Sequence, residues 1–155
     1  MKEFVPKKYT VIPDKRFDSK FPRLSGEYGA YDFYTEKGKI VKEKIYVPKR
    51  ALKNKEEMRT TLIHENFHRT ERHLSKEDYG KISRLNKARL LSEFYEKANG
   101  KKMGMSKTKY IRTRKNVSNH EILAEYSANF SKSINKPKNR IEGILNKIWY
   151  KGKCC

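Results

Sequence analysis

Two histidines and a glutamate in one short stretch, His64-Glu65-x-x-His68, constrain this chain more than any other feature. On an α-helix, residues four apart lie on the same face, so His64 and His68 can direct two imidazole nitrogens at one metal ion. Glu65 is rotated by about 100° from His64, which places its carboxylate beside a bound metal. The spacing therefore predicts two zinc ligands and a neighbouring general base. The alternative is a pair of surface histidines on an amphipathic helix.

The residues around this motif favour a helix that begins near Asn54. Asn54-x-x-Glu57 has the form of a capping box, in which each side chain accepts a hydrogen bond from the backbone N–H of the other residue. An apolar side follows, and it consists of Met58, Leu62, Ile63 and Phe67. Because the two histidines and Glu65 fall largely off that side, we expect them to face away from the core.

The part of the chain before this helix divides into an irregular segment and a hairpin. Residues 1–29 are punctuated by proline and glycine without a sustained period, so we predict no regular structure there. Residues 31–35 and 39–47 are rich in β-branched and aromatic side chains and are joined through Lys37-Gly38, which predicts a β-hairpin. We interpret strand 39–47 as the edge that pairs with an extended substrate.

The part after the motif is predominantly helical. One helix is predicted from a second capping box at Ser75 to a stop at Asn99-Gly100. Residues 101–117 are predicted as a basic loop, and a third helix opens at Ser118 and ends before Pro137. Residues 140–150 form a short terminal helix. No repeat or boundary divides residues 1–155, so we predict one α+β domain, mostly helical, with a small sheet before the active-site helix.

Zinc requires a third protein ligand, and His73 is the nearest histidine downstream. In the extended pattern His-Glu-x-x-His-x-x-Gly-x-x-His, glycine would stand at position 71 and the third histidine at position 74. These positions hold Glu71 and Leu74, so the pattern fails twice. We therefore interpret His73 as a surface group near the end of the helix.

The third helix supplies a better candidate, because Glu121 and Glu125 are four apart and share a face. Ala124 and Ala128 flank that face, which would let another helix approach closely. One carboxylate can bind zinc, and the other can accept a hydrogen bond from the second nitrogen of a ligand histidine and so select its tautomer. We predict Glu121 as the ligand and Glu125 as the supporting group.

Two alternatives to this ligand assignment stay open at the level of the sequence. Ser118-x-x-Glu121 is itself a capping box, in which Glu121 would only accept a backbone hydrogen bond. His120 is adjacent to Glu121 and is chemically as capable of binding zinc.

The two motifs together resemble a known family. The His-Glu-x-x-His helix is followed about 50 residues later by Asn-x-Glu-x-x-Ala-Glu-x-x-x-x-Phe, as in the gluzincin family of the anthrax lethal factor catalytic domain. Related proline-directed endopeptidases and phage-encoded proteins share this arrangement. The resemblance covers a metal-site region of about residues 55–135 and implies a zincin-like fold acting on peptide or protein substrates. It implies Zn²⁺ on His64, His68 and Glu121, with Glu65 as the general base and Glu125 in support.

The chain departs from the family pattern at three positions. Phe67 stands where glycine is common, and Arg69 follows the second histidine, where an uncharged residue is usual. The family's active-site tyrosine, seven residues before the ligand glutamate, corresponds to Arg114. Tyr110 is the nearest tyrosine and is the candidate to stabilise the oxyanion in its place.

The net charge of +20 supports a second hypothesis from another class of function. Residues 101–155 contain 14 basic and three acidic side chains, and such a surface attracts nucleic acid or an acidic partner. Tyr110, Tyr126 and Tyr150 are the candidates for stacking on bases. The alternative to an enzyme is therefore a basic nucleic-acid-binding protein, or a toxin or phage accessory domain that combines both properties.

Three further patterns concern membrane spans, signal peptides and disulfide bonds. No segment approaches the roughly 18 apolar residues of a membrane span, so no transmembrane segment is predicted. No apolar run follows the first charges, so we expect a protein that is cytoplasmic or is released without a visible signal peptide. The two cysteines, Cys154 and Cys155, are adjacent, which excludes an internal disulfide framework.

Overall fold

A small sheet and one short helix come before the helix that carries the metal motif. The computed structural model describes residues 4–151, so Cys154 and Cys155 lie outside the described residues. The first elements are β1 (Thr10–Ile12), α1 (Asp14–Lys20), β2 (Ala30–Glu36) and β3 (Lys39–Pro48). β2 and β3 form the predicted hairpin. Lys37 and Gly38 adopt φ angles of 52° and 75° at its turn, as a tight two-residue hairpin turn requires.

The structure corrects two predictions for this part of the chain. The segment 1–29 was predicted to be irregular, but its described part, residues 4–29, contains β1, α1 and a 3₁₀ turn at Pro22–Leu24. These elements have three to seven residues each, too few for a period to be visible in the sequence. The strand order is β1-β3-β2, with β1 parallel and β2 antiparallel to β3. β3 is therefore the central strand, and the edge strands are β1 and β2.

The helix of the metal motif, α2 (Lys55–Arg72), begins where the sequence predicts. The Asn54 side-chain oxygen accepts hydrogen bonds from the backbone N–H groups of Glu56 and Glu57, at 3.0 and 3.2 Å. Such a cap satisfies donors that would otherwise have no partner in the first turn. The position of the motif in the middle of a regular helix follows from this start.

The later helices agree with the prediction in part. The helix predicted from residue 75 to residue 99 is two helices, α3 (Lys76–Ser83) and α4 (Lys87–Lys97). Asn86 separates them, because its side chain caps α4 by accepting a hydrogen bond from the backbone N–H of Arg89 at 3.0 Å. The basic loop contains α5 (Lys107–Thr113). The predicted third helix and terminal helix are confirmed, and they are α6 (Asn119–Ile134) and α7 (Arg140–Lys151).

α2 lies between the sheet and the other helices, and it packs against both of them. Leu62 packs against Ile45 and Val47 of β3. Ile63 and Phe67 are fully buried in the larger core formed with the other helices. This burial leaves one face of α2 for polar side chains, as expected from the sequence. The α+β, mostly helical architecture is confirmed, and none of the helices within residues 4–151 is long and apolar enough to span a membrane.

Candidate metal centre

His64, His68 and Glu121 converge on one point between α2 and α6. Nε2 of His68 lies 2.7 Å from Oε1 of Glu121, and Nε2 of His64 lies 3.1 Å from Oε2 of the same carboxylate. The two Nε2 atoms are 3.2 Å apart. α6 packs closely on α2, where the buried Ala124 and Ala128 leave room for the contact. Residues 4–151 contain no other group of three potential metal-binding side chains with such geometry.

The donor set fits zinc. Catalytic zinc sites have three protein ligands, and two imidazole nitrogens with one carboxylate oxygen are one such set. The fourth position is left for water or substrate. The Ser118 hydroxyl accepts a hydrogen bond from the backbone N–H of Glu121 at 3.1 Å and caps α6. The backbone of Glu121 thus takes part in capping, while its side chain points to the histidines. The capping and metal-ligand alternatives for Glu121 are therefore compatible.

The charges of the three side chains are strongly coupled. Burial alone would lower the pKa of His68, but hydrogen bonds with Glu121 and Glu71 raise it to about 10. Hydrogen bonds with His64 and His68 hold the pKa of Glu121 well below its usual range. A proton on His68 therefore supplies positive charge where a metal ion would supply it.

Glu65 lies beside this cluster and contacts the edge of the sheet. Burial raises the pKa of the Glu65 carboxyl, while the nearby His64 and His68 oppose that rise. The backbone N–H of Tyr31, on β2, faces this carboxylate and also opposes the rise in its pKa. A Cβ atom on Gly29 would lie 3.3 Å from Cγ of Glu65, so glycine allows the start of β2 to pass close to α2. A half-buried carboxylate with a raised pKa is suited to accept and return a proton.

The residue that supports His68 is Glu71, which the sequence analysis did not select. Oε1 of Glu71 lies 3.0 Å from Nδ1 of His68, and Oε2 lies 2.6 Å from Nδ1 of His120. Because a carboxylate accepts hydrogen bonds, Nδ1 of His68 carries a proton in both charge states of the ring. In the neutral ring that can bind a metal, Nε2 therefore presents its lone pair towards the metal position. The signal in the sequence was a glutamate three residues after His68, on the same face of the helix.

His120 belongs to this supporting network and is not placed as a ligand. Its Nε2 atom lies 2.8 Å from Oγ of Ser83, and its ring stacks on Tyr79 with centroids 4.3 Å apart. Both ring nitrogens are thus engaged by Glu71 and Ser83. The direction in which the two side chains point favours Glu121 over His120 as the third ligand.

Glu125 does not take the supporting role that was predicted for it. Its Oε2 atom is paired with the Arg114 guanidinium at 2.5 Å, although Glu125 lines the same cleft as Glu121. Tyr110 is also misplaced in the prediction, since it is only 7% exposed and packs on Tyr95 in the core. Arg114, at the position of the family's tyrosine, therefore holds Glu125 at the wall of the cleft.

His73 lies away from the metal position, as predicted, but it is not a free surface group. Its Nε2 atom lies 2.9 Å from Oε2 of Glu43 on β3. The same carboxylate accepts hydrogen bonds from Nε of Arg69 at 3.0 Å and from the Tyr31 hydroxyl at 2.8 Å. Glu43 therefore joins β3 to the end of α2 and to the edge strand β2.

The metal cluster opens into a cleft of about 860 Å³ between the sheet edge and the helices. One wall is formed by Gly29, Tyr31 and Phe33 at the edge strand β2. The loop before β2 contributes Tyr28 to the cleft. Arg50 holds that loop, because its guanidinium donates two hydrogen bonds to the backbone oxygen of Glu27, at 2.6 and 3.0 Å, and pairs with Asp18. The edge available to a peptide is thus β2, and the interpretation of strand 39–47 as that edge was wrong.

The aromatic residues proposed to stack on nucleic-acid bases are largely internal. Tyr110 and Tyr126 are 7% and 0% exposed, and both pack in the helical core. Tyr150 is 50% exposed. Stacking on three tyrosines is therefore excluded as a basis for nucleic-acid binding.

Comparisons with family models, with curated proteins and with solved structures found no match to this chain. The resemblance to gluzincins therefore depends on the two motifs and on the residues they bring together.

Proposed function

We propose that this protein is a zinc-dependent metalloendopeptidase of the gluzincin type. The observation that carries the proposal is the convergence of His64, His68 and Glu121 at the floor of a cleft, with Glu65 beside them. A structural zinc site is closed by four protein ligands, whereas three ligands in an open cleft leave a position for chemistry. The donor set and its exposure to the cleft both favour a catalytic site.

In the proposed hydrolysis of a peptide bond, the residues of the site have different roles. A zinc ion held by the three ligands would acidify a coordinated water and polarise the carbonyl of a peptide bond. Glu65 accepts a proton from the attacking water and then donates it to the departing amine, and its raised pKa suits both steps. Glu71 holds the ring of His68 in the tautomer and orientation that ligation needs.

The edge strand β2 is the surface best suited to bind an extended substrate. The backbone N–H of Tyr31 points to Glu65 and so away from β3. In an antiparallel pair the outward backbone groups recur every second residue, so those of Phe33 also face the open edge. Main-chain pairing along this edge would present a peptide bond to the metal centre with little dependence on sequence.

The test compares wild type with Glu65→Gln at equal zinc content. Elemental analysis should find about one zinc per chain in both proteins, because Glu65 is not a ligand. Cleavage of a diverse peptide library that includes proline-containing members should fall by about 10²–10⁴-fold in Glu65→Gln. Glu57→Gln, at an exposed position in the first turn of the same helix, is the control and should cleave as wild type does. Equal cleavage by wild type and Glu65→Gln would reject the role of Glu65, and zinc-free wild type would reject the proposal.

A second candidate function, binding of a polyanion, is favoured by one observation. The three acidic residues of the segment 101–155 lie in the cleft or the core, and they are Glu121, Glu125 and Glu142. Exposed cations dominate the surface around α5, and they are Lys101, Lys102, Lys109, Arg112 and Lys115. Polyanion binding would weaken steeply with salt and would survive removal of zinc. Fluorescence anisotropy with labelled single-stranded DNA at low salt tests it, and lack of binding there would reject it.

A further inference from the structure

We propose that Arg72 forms a carboxylate-binding subsite of the cleft and selects substrates with an acidic side chain near the cleaved bond. This inference rests on the proposed peptidase function and assigns it a substrate class. Arg72 follows His68 by four residues, so His64, His68 and Arg72 lie along one face of α2. The rise from His68 to Arg72 is about 6 Å, which places the guanidinium one helical turn from the metal position.

The Arg72 guanidinium contacts two aromatic rings. Its central carbon lies 4.9 Å from the ring centroid of Phe33 on β2 and 4.8 Å from that of Tyr79 on α3. Phe33 in turn stacks on Tyr31 at 5.3 Å, and Tyr79 stacks on His120 at 4.3 Å. Contact with the two rings does not use the N–H donors of the guanidinium, which stay available to a ligand. The subsite is therefore preorganised between the sheet edge and the metal centre.

Among the described residues, Arg72 differs from the nearby arginines in having no carboxylate partner. Three other arginines around the cleft are paired with carboxylates of the chain, namely Arg50–Asp18, Arg69–Glu43 and Arg114–Glu125. Within residues 4–151, no carboxylate forms an ion pair with Arg72, and it is the one lysine or arginine of that span that lines the cleft. Its fork of donors matches a carboxylate in two parallel hydrogen bonds.

The edge strand sets the distance between this subsite and the bond to be cleaved. Phe33 lies two residues along β2 from Tyr31, whose backbone contacts Glu65. Two residues of strand span about 6.7 Å. A peptide paired with β2 would therefore bring to Arg72 a side chain within about two residues of the cleaved bond. A glutamate or an aspartate there supplies the missing counter-ion.

The experiment uses peptide pairs that differ only by glutamate or glutamine at each of the two positions on either side of the cleaved bond. Wild type should cleave the glutamate peptide of at least one pair roughly 10-fold faster in kcat/KM, because a charge-assisted hydrogen bond is lost with glutamine. Arg72→Met keeps an unbranched side chain between the rings, and it should reduce that ratio to about one. Arg84→Met removes an exposed guanidinium outside the cleft and should leave the ratio unchanged.

The same chemistry could be supplied by the carboxylate at the end of a peptide chain. Peptides with a free or an amidated C-terminus distinguish the two sources, and equal cleavage of both forms is expected for an acidic side chain. A rate that depends only on the free C-terminus would overturn the assignment to a side chain.

A binding measurement separates this inference from the proposed function. Fluorescently labelled peptides of each pair are titrated with zinc-loaded Glu65→Gln, with and without Arg72→Met. If the wild type cleaves no peptide, the proposed function fails, while preferential binding of glutamate peptides that requires Arg72 still supports the subsite. The subsite would be overturned if the two peptides of every pair are cleaved equally and also bind equally. It would likewise be overturned if they are cleaved equally and neither peptide binds.

Discussion

Nδ1 of His120 lies 2.6 Å from Oε2 of Glu71, although 49 residues separate them in the chain. The other oxygen of Glu71 lies 3.0 Å from Nδ1 of His68, so the carboxylate connects a proposed metal ligand on α2 to the first turn of α6. Since Glu121 is the next residue on α6, this contact also positions the third ligand. Glu71 is buried to 1% exposure, which protects both hydrogen bonds from water.

Glu71→Gln should weaken zinc binding by about 10–100-fold, because the amide removes the charge that supports His68 and His120. Glu125→Gln is the matched control, since Glu125 is paired with Arg114 and should cost much less zinc affinity. Competition with a coloured chelator measures both constants. If Glu125→Gln loses more zinc affinity than Glu71→Gln, then Glu125 has the supporting role that was predicted from the sequence.

Zinc binding at pH 8 should release about one proton from His68. The pKa of His68 is raised to about 10 in the metal-free protein, so the ring is protonated at pH 8 and must lose a proton to bind zinc. The apparent affinity should therefore rise with pH until the pH passes that pKa. Calorimetric titrations in two buffers of different ionisation enthalpy measure the number of protons. Identical binding enthalpies in the two buffers would show that no proton is released and would contradict this prediction.

Gly29→Ala should damage the junction between β2 and the metal helix. The added methyl would lie 2.6 Å from Cγ2 of Thr61, so either the strand or the helix must shift. We expect a loss of about 1–3 kcal/mol in the free energy of unfolding, together with slower cleavage. Thr61→Ser removes the opposing methyl group and should recover part of the loss in the double variant.

Gly143→Ala is the control for this substitution. Gly143 lies in α7 with open space around the position of a Cβ atom, so alanine there should be neutral or stabilise by up to about 1 kcal/mol. Urea denaturation compares the variants. A stability of Gly29→Ala equal to that of wild type would show that the contact is not tight.

Glu43 should make the stability of the protein depend on acid pH. Burial would raise the pKa of Glu43, but hydrogen bonds from Tyr31 and His73 outweigh it and lower the pKa. A lowered pKa gives stability that is present above the unfolded value of about 4.3 and is lost as the pH falls through the folded value. Wild type should therefore lose about 1 kcal/mol more between pH 5 and pH 3 than Glu43→Gln does. Parallel curves of unfolding free energy against pH would contradict this role.

The sequence by itself determined the features that depend on local spacing. The cap at Asn54, the helical register of His64 and His68, and the hairpin turn at Lys37-Gly38 each involve residues within a few positions of one another. Glu121 was also predicted, because its helix carries a second motif. These patterns are readable because a helix or a tight turn fixes the direction of neighbouring side chains.

Only the tertiary structure decided which distant side chains meet. Whether β3 is an edge strand depends on the parallel pairing of Thr10–Ile12 with the end of β3, and that pairing joins residues 36 positions apart. The partners of Glu71, Glu125 and Arg72 likewise come from other elements. Periodicity shows that a charged residue lies on a given face, but not which residue of another element packs there. The supporting network and the arginine subsite therefore emerge only when α2, α3, α6 and β2 are packed together.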